Sequence, residues 1–253
     1  MKNERLRAAS VSCIYIVLMR SLLRLIIPMF NTSGAVPDVV FTGSISVITL
    51  LPPIMLFRLK YKNDAGKTEK KGLLYTAALS VSAFMVCIGV NMLISRFGSY
   101  TYSIPPYDIP FAVLCMAVIP AVLEEMLFRD SFICVGMLIS SLLFGLVHSG
   151  AAGAVFAFLC GTVLFIVRIC TGSLAASITV HLLNNLTALA FSFFEISIGG
   201  LYALLMAAAG ISGMFLLLFR NKNSLSGRLF FRMDAPEPFF ISFLILAALM
   251  MLA

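Results

Sequence analysis

Nine long apolar runs constrain this chain more than any other feature: residues 8–30, 39–58, 73–95, 109–130, 136–149, 152–169, 173–194, 197–219 and 238–253, each to within a few residues. An α-helix rises about 1.5 Å per residue, so about twenty apolar residues are enough to cross the hydrocarbon core of a bilayer. The fifth and last runs are shorter than that. The expectation is an all-α fold, a polytopic integral membrane helical bundle of about eight or nine transmembrane helices, with the lipid bilayer as its first partner. Composition supports this choice of solvent, since 61% of the residues are apolar and only 11% are charged, against about a quarter charged in a typical soluble domain. A net charge of +7 would suggest nucleic acid in a soluble chain. Here the basic residues mark the cytoplasmic side of the bundle, and no nucleic-acid partner is expected.

The lysines and arginines are unevenly spread. Lys2, Arg5 and Arg7 precede the first run; Arg58, Lys60, Lys62, Lys67, Lys70 and Lys71 follow the second; Arg168 closes the sixth; Arg220, Lys222, Arg228 and Arg232 follow the eighth. The loops on the other side hold only Arg96, which puts the N-terminus in the cytoplasm. The first run contains Arg20 and Arg24 and lacks an A-x-A cleavage site, so it reads as an uncleaved span. These two arginines share a helix face, and their expected use is snorkelling or a pair with Glu195. Six cysteines (Cys13, Cys87, Cys115, Cys134, Cys160 and Cys170) are scattered singly and read as reduced, small hydrophobes.

The residues able to do chemistry are few. Glu124-Glu125-Met126-Leu127-Phe128-Arg129 closes the fourth run, and an ionised carboxylate in hydrocarbon costs several kcal/mol, which makes an intramembrane acid a functional-site hypothesis. Glu125 stands one helical turn from Arg129 in the favourable acid-first order, while Glu124 is turned about 100° away and left for other work. The two histidines lie in apolar runs as Phe144-x-x-x-His148 and His181-x-x-x-Asn185, so His181 and Asn185 share a face. Burying such groups costs roughly 1–3 kcal/mol each unless they are satisfied, which favours one shared polar site. If the fourth helix turns near Gly136, Glu124 and His148 lie 12 residues before and after it, both about 18 Å from the turn. His181 and Asn185 lie 8 and 12 residues past Ser173, at a matching depth. Pro120, four residues before Glu124, could kink its helix and help open a wet cavity.

Such a pocket suits water-driven amide hydrolysis. Glu124 with His148 can hold and deprotonate a water, and His181 and Asn185 can donate to the oxyanion that forms as the water attacks a carbonyl. No Gly-x-Ser-x-Gly elbow, catalytic cysteine setting or HExxH occurs, so serine, cysteine and ordinary zincin mechanisms are less natural. Glu124, His148 and His181 could instead hold a divalent metal such as zinc, with water in the fourth place. The cofactor is therefore either none or such a metal.

Together these motifs resemble those of the CPBP family, the CAAX-processing and bacteriocin-processing proteases also called Abi proteins. The resemblance rests on Glu124-Glu125-x-x-x-Arg129, Phe144-x-x-x-His148, His181-x-x-x-Asn185 and the Thr171-Gly172-Ser173-Leu174 run, and covers about 110–190. It implies three stretches: N-terminal transmembrane helices over 1–108, a CAAX-protease-like catalytic core over 109–194, and C-terminal transmembrane helices over 195–253. It also implies an intramembrane endopeptidase of a prokaryotic cell membrane, its site open toward the cytoplasm. The substrate would be a membrane-associated or lipidated peptide, of the prenylated CAAX type in some members. Carried over, Glu124 and His148 activate water, His181 and Asn185 form the oxyanion hole, and Glu125 and Arg129 support and tune the site. Both metalloprotease and metal-independent glutamate chemistry are associated with the family. Two features depart from its usual pattern: Asp130 follows the motif arginine where glycine is usual, and only 18 residues separate Arg129 from His148. The alternatives are a non-catalytic relative serving bacteriocin immunity or binding a membrane complex, and a proton-relay transporter using Glu124, Glu195 and the histidines. The chain has no inverted repeat to favour the transporter.

Overall fold

The computed structural model describes residues 2–26, 35–61, 71–97, 109–148, 150–196 and 198–221, and every regular element among them is helical. In chain order these are α1 (Lys2–Ile26), α2 (Ala35–Lys60), α3 (Leu73–Ile94), α4 (Ile109–Ala112), α5 (Ile119–Glu125), α6 (Met137–Leu146), α7 (Ala151–Thr171), α8 (Leu174–Phe193) and α9 (Gly200–Arg220). Among the described residues six helical stretches are long and apolar enough to cross a membrane: Gly43–Lys60, Leu73–Ile94, Ile109–Ile133, Ala151–Thr171, Leu174–Phe193 and Gly200–Arg220; α1, expected as the first span, is not one of them. The protein is thus a polytopic helical membrane bundle. The expected fifth span is the ten-residue α6, and the run 238–253 lies outside the described residues. The five cysteines whose side chains are described are buried and free, as small hydrophobes should be.

The third of those stretches is not a regular helix, and the irregularity flanks the acidic pair. Pro120 has no N–H to offer the previous turn, and over Val113–Val118 the helix widens to a π-form, with the Ile119 N–H reaching back to the Leu114 carbonyl. A second π-segment, Met126–Asp130, follows Glu125 directly. Such bulges recur at functional sites because they release carbonyls and re-aim side chains. The chain then tightens into a 3₁₀ turn, Ser131–Val135, and reverses at Gly136, whose φ of 86° and ψ of 168° suit glycine alone. That is the turn the spacing predicted.

Two packed clusters hold the bundle together and meet on α7. Ile16, Leu50, Ile54, Phe128, Phe132, Leu143, Phe144 and Ala157 belong to the first, which ties α1 and α2 to the motif helices. Leu79, Cys87, Cys160, Leu164, Val180 and Met214 belong to the second, which ties α3 to α7, α8 and α9. In lipid, close backbone approach replaces hydrophobic exclusion as the driving force, and α3 and α9 show it. A Cβ at Gly89 would stand 2.7 Å from the Ala203 carbonyl, and one at Gly210 would stand 2.6 Å from the Ser82 carbonyl.

Candidate active site

The acidic pair is buried on α5, with Glu124 5% and Glu125 0% exposed. Arg129 is fully buried too, and its guanidinium reaches Glu125 Oε1 at 3.4 Å, the pair anticipated from their spacing. Beneath the guanidinium lies the Phe144 ring, with its centroid 4.2 Å from the arginine Cζ. The same ring packs edge-on to His148 at 4.6 Å and His181 at 5.9 Å. Phe144 is therefore the floor on which both imidazoles and the motif arginine rest.

The histidines arrive by different routes. His148 is not inside a helix as expected. It lies just past the end of α6, its ring anchored by Nδ1 bonding the Phe144 carbonyl at 2.7 Å. His181 sits within α8, whose start is set by Thr171-Gly172-Ser173. Gly172 takes the left-handed conformation that ends α7, at φ 70°, and the Ser173 hydroxyl caps α8 by accepting from the Ala176 N–H at 3.2 Å. His181 Nδ1 bonds Glu125 Oε1 at 3.0 Å.

These anchors assign the hydrogens. A carbonyl can only accept, and an ionised Glu125 beside Arg129 can only accept, so both Nδ1 atoms carry hydrogen, and each ring in its neutral form presents a bare Nε2. Both bare nitrogens face one atom, Glu124 Oε2, His181 at 3.8 Å and His148 at 4.0 Å. The separations are too long for direct hydrogen bonds. A water held about 2.8 Å from each of two acceptors spans them at about 4–4.5 Å, close to what is seen. The donor set also has the chemistry of a metal site, with each Nδ1 fixed by a second partner. Ligands of a tetrahedral zinc, however, stand about 3.3 Å apart with bonds of about 2.0 Å. The Glu124–imidazole separations of 3.8 and 4.0 Å are longer than that, and among the described residues no group of three His, Cys, Asp or Glu side chains is placed to hold an ion. Of the three, His148 is the most exposed, its side chain at 29% against 6% for Glu124 and 8% for His181.

Other expected residues fall differently. Asn185 lies one turn beyond His181, and its amide donates to the Ala117 carbonyl in the first π-segment at 3.5 Å. Glu195 is exposed in the turn after α8, at φ 52°, and is not the partner of Arg20. Instead Arg20 reaches Glu124 Oε1 at 3.7 Å and donates to the Val147 carbonyl at 2.6 Å. The expected pairing of Arg20 with Glu195 is thereby corrected, and the side chain of Arg24 is outside those described. Asp130, the departure from the motif, is buried between Arg168 at 3.8 Å and Arg58 at 3.7 Å, so its charge is matched.

Gly161 on α7 was not singled out in the sequence, where one glycine in an apolar run carries no signal. A Cβ there would lie 2.9 Å from Phe144 Cδ1 and 3.1 Å from an Arg129 nitrogen. Gly161→Val should lower stability by about 1–3 kcal/mol through overpacking, read as a fall in the unfolding temperature of the detergent-purified protein.

Residues 106–187 match the model of the family described as type II CAAX prenyl endopeptidase Rce1-like. No curated protein and no solved structure matches the chain. The matched stretch contains all three motifs and the helices that bring them together, and its family is one of intramembrane peptidases of the CAAX-protease type. Over residues 106–187, then, this multi-pass membrane protein is similar to the Rce1-like, CPBP family.

Proposed function

We propose that the chain is an intramembrane endopeptidase that hydrolyses a peptide bond near the C-terminus of a membrane-associated peptide, of the prenylated CAAX type. The observation that supports this most is the convergence of the Nε2 atoms of His148 and His181 on Glu124 Oε2, within 4.0 Å. A water bound between these acceptors gives a proton to Glu124 while its oxygen attacks the scissile carbonyl; His148 orients it. The oxyanion is met by His181 in its imidazolium form, its Nε2 proton taken up from solvent before the attack and the ring charge balanced by Glu125 through Nδ1, and by the Asn185 amide after it leaves the Ala117 carbonyl. Collapse of the tetrahedral intermediate breaks the C–N bond, and the proton held by Glu124 passes to the leaving amine. Glu125 and Arg129 fix the imidazole tautomer. The N-terminus lies in the cytoplasm, on the side rich in lysine and arginine.

This reading needs no metal, and a zinc ion would have to draw Glu124, His148 and His181 together. Detergent-purified protein should cleave a quenched fluorescent, prenylated CAAX peptide, and turnover should survive a strong chelator. Turnover lost to the chelator and restored by zinc would assign the metal alternative. If prenylated and unmodified membrane peptides all stayed whole, the peptidase reading would fall and a binding-only relative would replace it.

A further inference from the structure

Arg20 lies on α1, far outside the matched stretch 106–187, yet it touches both elements that carry the water-activating pair. One guanidinium nitrogen donates to the Val147 carbonyl at 2.6 Å, and the other stands 3.7 Å from Glu124 Oε1. Val147 closes α6 and immediately precedes His148. A helix leaves its last carbonyls without intrahelical donors, and Arg20 supplies one where the chain turns toward the imidazole. The guanidinium thus spans from the end of α6 to α5.

The charges of the site point the same way. Glu125 has Arg129 as its counter-ion at 3.4 Å. Around Glu124, the groups facing it from other elements are Arg20 on α1, His148 after α6 and His181 on α8, with Glu125 next to it on its own helix and the Arg129 charge, paired directly to Glu125, acting on it as well. The Nδ1 bonds place a hydrogen on each Nδ1 without fixing the charge of either ring, so among the described residues Arg20 is the ion-pair partner of Glu124 that is charged whichever form the imidazoles take. A carboxylate shielded from water needs such a partner. The two oxygens are divided between these neighbours. Arg20 takes Oε1 at 3.7 Å, and Oε2 is left to the histidines at 3.8 and 4.0 Å.

We infer that Arg20 is a positioning residue for the proposed hydrolysis: it is the counter-ion of Glu124 and turns that carboxylate so that Oε2 faces the water-binding imidazoles. It acts through Glu124 and the end of α6 and does not itself touch the substrate. This rests on the peptidase reading for its catalytic consequence, but not for the ion pair.

The test uses full-length protein in detergent as wild type, Arg20→Met, Arg20→Lys, Glu124→Gln and the double variant Arg20→Met with Glu124→Gln. The first readout is thermal unfolding, which requires no turnover. Arg20→Met should lower the unfolding temperature, and adding Glu124→Gln should restore most of the loss, because charge and counter-charge then leave together. If Arg20→Met alone fails to fold while the double variant folds, the same coupling is seen in stronger form. Equal losses in both backgrounds, or failure of both to fold, overturn the inference.

The second readout is turnover, where Arg20→Met should lower kcat by about 10–100-fold with KM little changed. Arg20→Lys should recover part of that loss, since it keeps the charge but not the planar fork. A raised KM with unchanged kcat would make Arg20 a receptor for the substrate and overturn its positioning role. If the wild type cleaves no peptide, the peptidase reading falls by itself, and the stability cycle alone decides the pairing.

Discussion

Glu124→Gln should lower kcat on a susceptible peptide by about a thousandfold, the scale on which a positioned general base contributes. Glutamine has nearly the same shape, so the packing around position 124 is kept. Its amide can also donate to the bare Nε2 atoms 3.8 and 4.0 Å away in the wild type. What it cannot do is accept the proton of the attacking water. The lost ion pair with Arg20 costs some stability, because a largely buried guanidinium loses its Glu124 contact. The variant should nevertheless remain folded, as judged by a single cooperative unfolding transition. Turnover within tenfold of wild type would remove Glu124 from the centre of the chemistry and, with it, the proposed mechanism.

Arg129→Met should be the most destabilising single change at the site, by about 3–5 kcal/mol. Both Arg129 and its partner Glu125 are fully buried, and the guanidinium also lies against the Phe144 ring at 4.2 Å. Methionine fills much of the space but takes the guanidinium from the Glu125 carboxylate, which keeps its His181 Nδ1 bond at 3.0 Å. An uncompensated buried charge is far worse than no charge, so Glu125→Gln added to Arg129→Met should recover a large part of the loss. Denaturation of the single and double variants in mixed micelles measures this directly. Equal stability of Arg129→Met and wild type would mean that water reaches Glu125 freely. A catalytic consequence follows as well, because the Glu125 carboxylate holds the hydrogen on His181 Nδ1.

The parts of the site that could be read from the chain are those set within one helix or one turn. Glu125 and Arg129 are four residues apart and do pair, and the four-residue step from Phe144 to His148 places the imidazole on the Phe144 carbonyl even though α6 has ended. The Thr171-Gly172-Ser173 break works through local dihedrals and a cap, and Gly136 through a φ of 86° that few other residues adopt. Equal spacing about Gly136 was enough to bring Glu124 and His148 to one depth, and they stand 4.0 Å apart.

Rotation of one helix against another was not legible, and for a physical reason. In a soluble bundle an apolar stripe tells which face turns inward, but lipid is as apolar as a protein core, so membrane helices are apolar all round. Nothing in the first run distinguished Arg20 as a partner of Glu124 from Arg20 as a snorkelling residue or a partner of Glu195. The packing of α1 against the motif helices decided it. The same holds for Gly161, whose missing side chain matters only because Phe144 and Arg129 occupy that space, and for Asn185, whose amide found a carbonyl in the π-segment beside Pro120. From sequence alone came the membrane solvent, the helical class, the motif residues and their depth. Which charges pair across helices, and hence how Glu124 is held, was decided by tertiary packing, because only there do residues more than a hundred positions apart share one low-dielectric pocket.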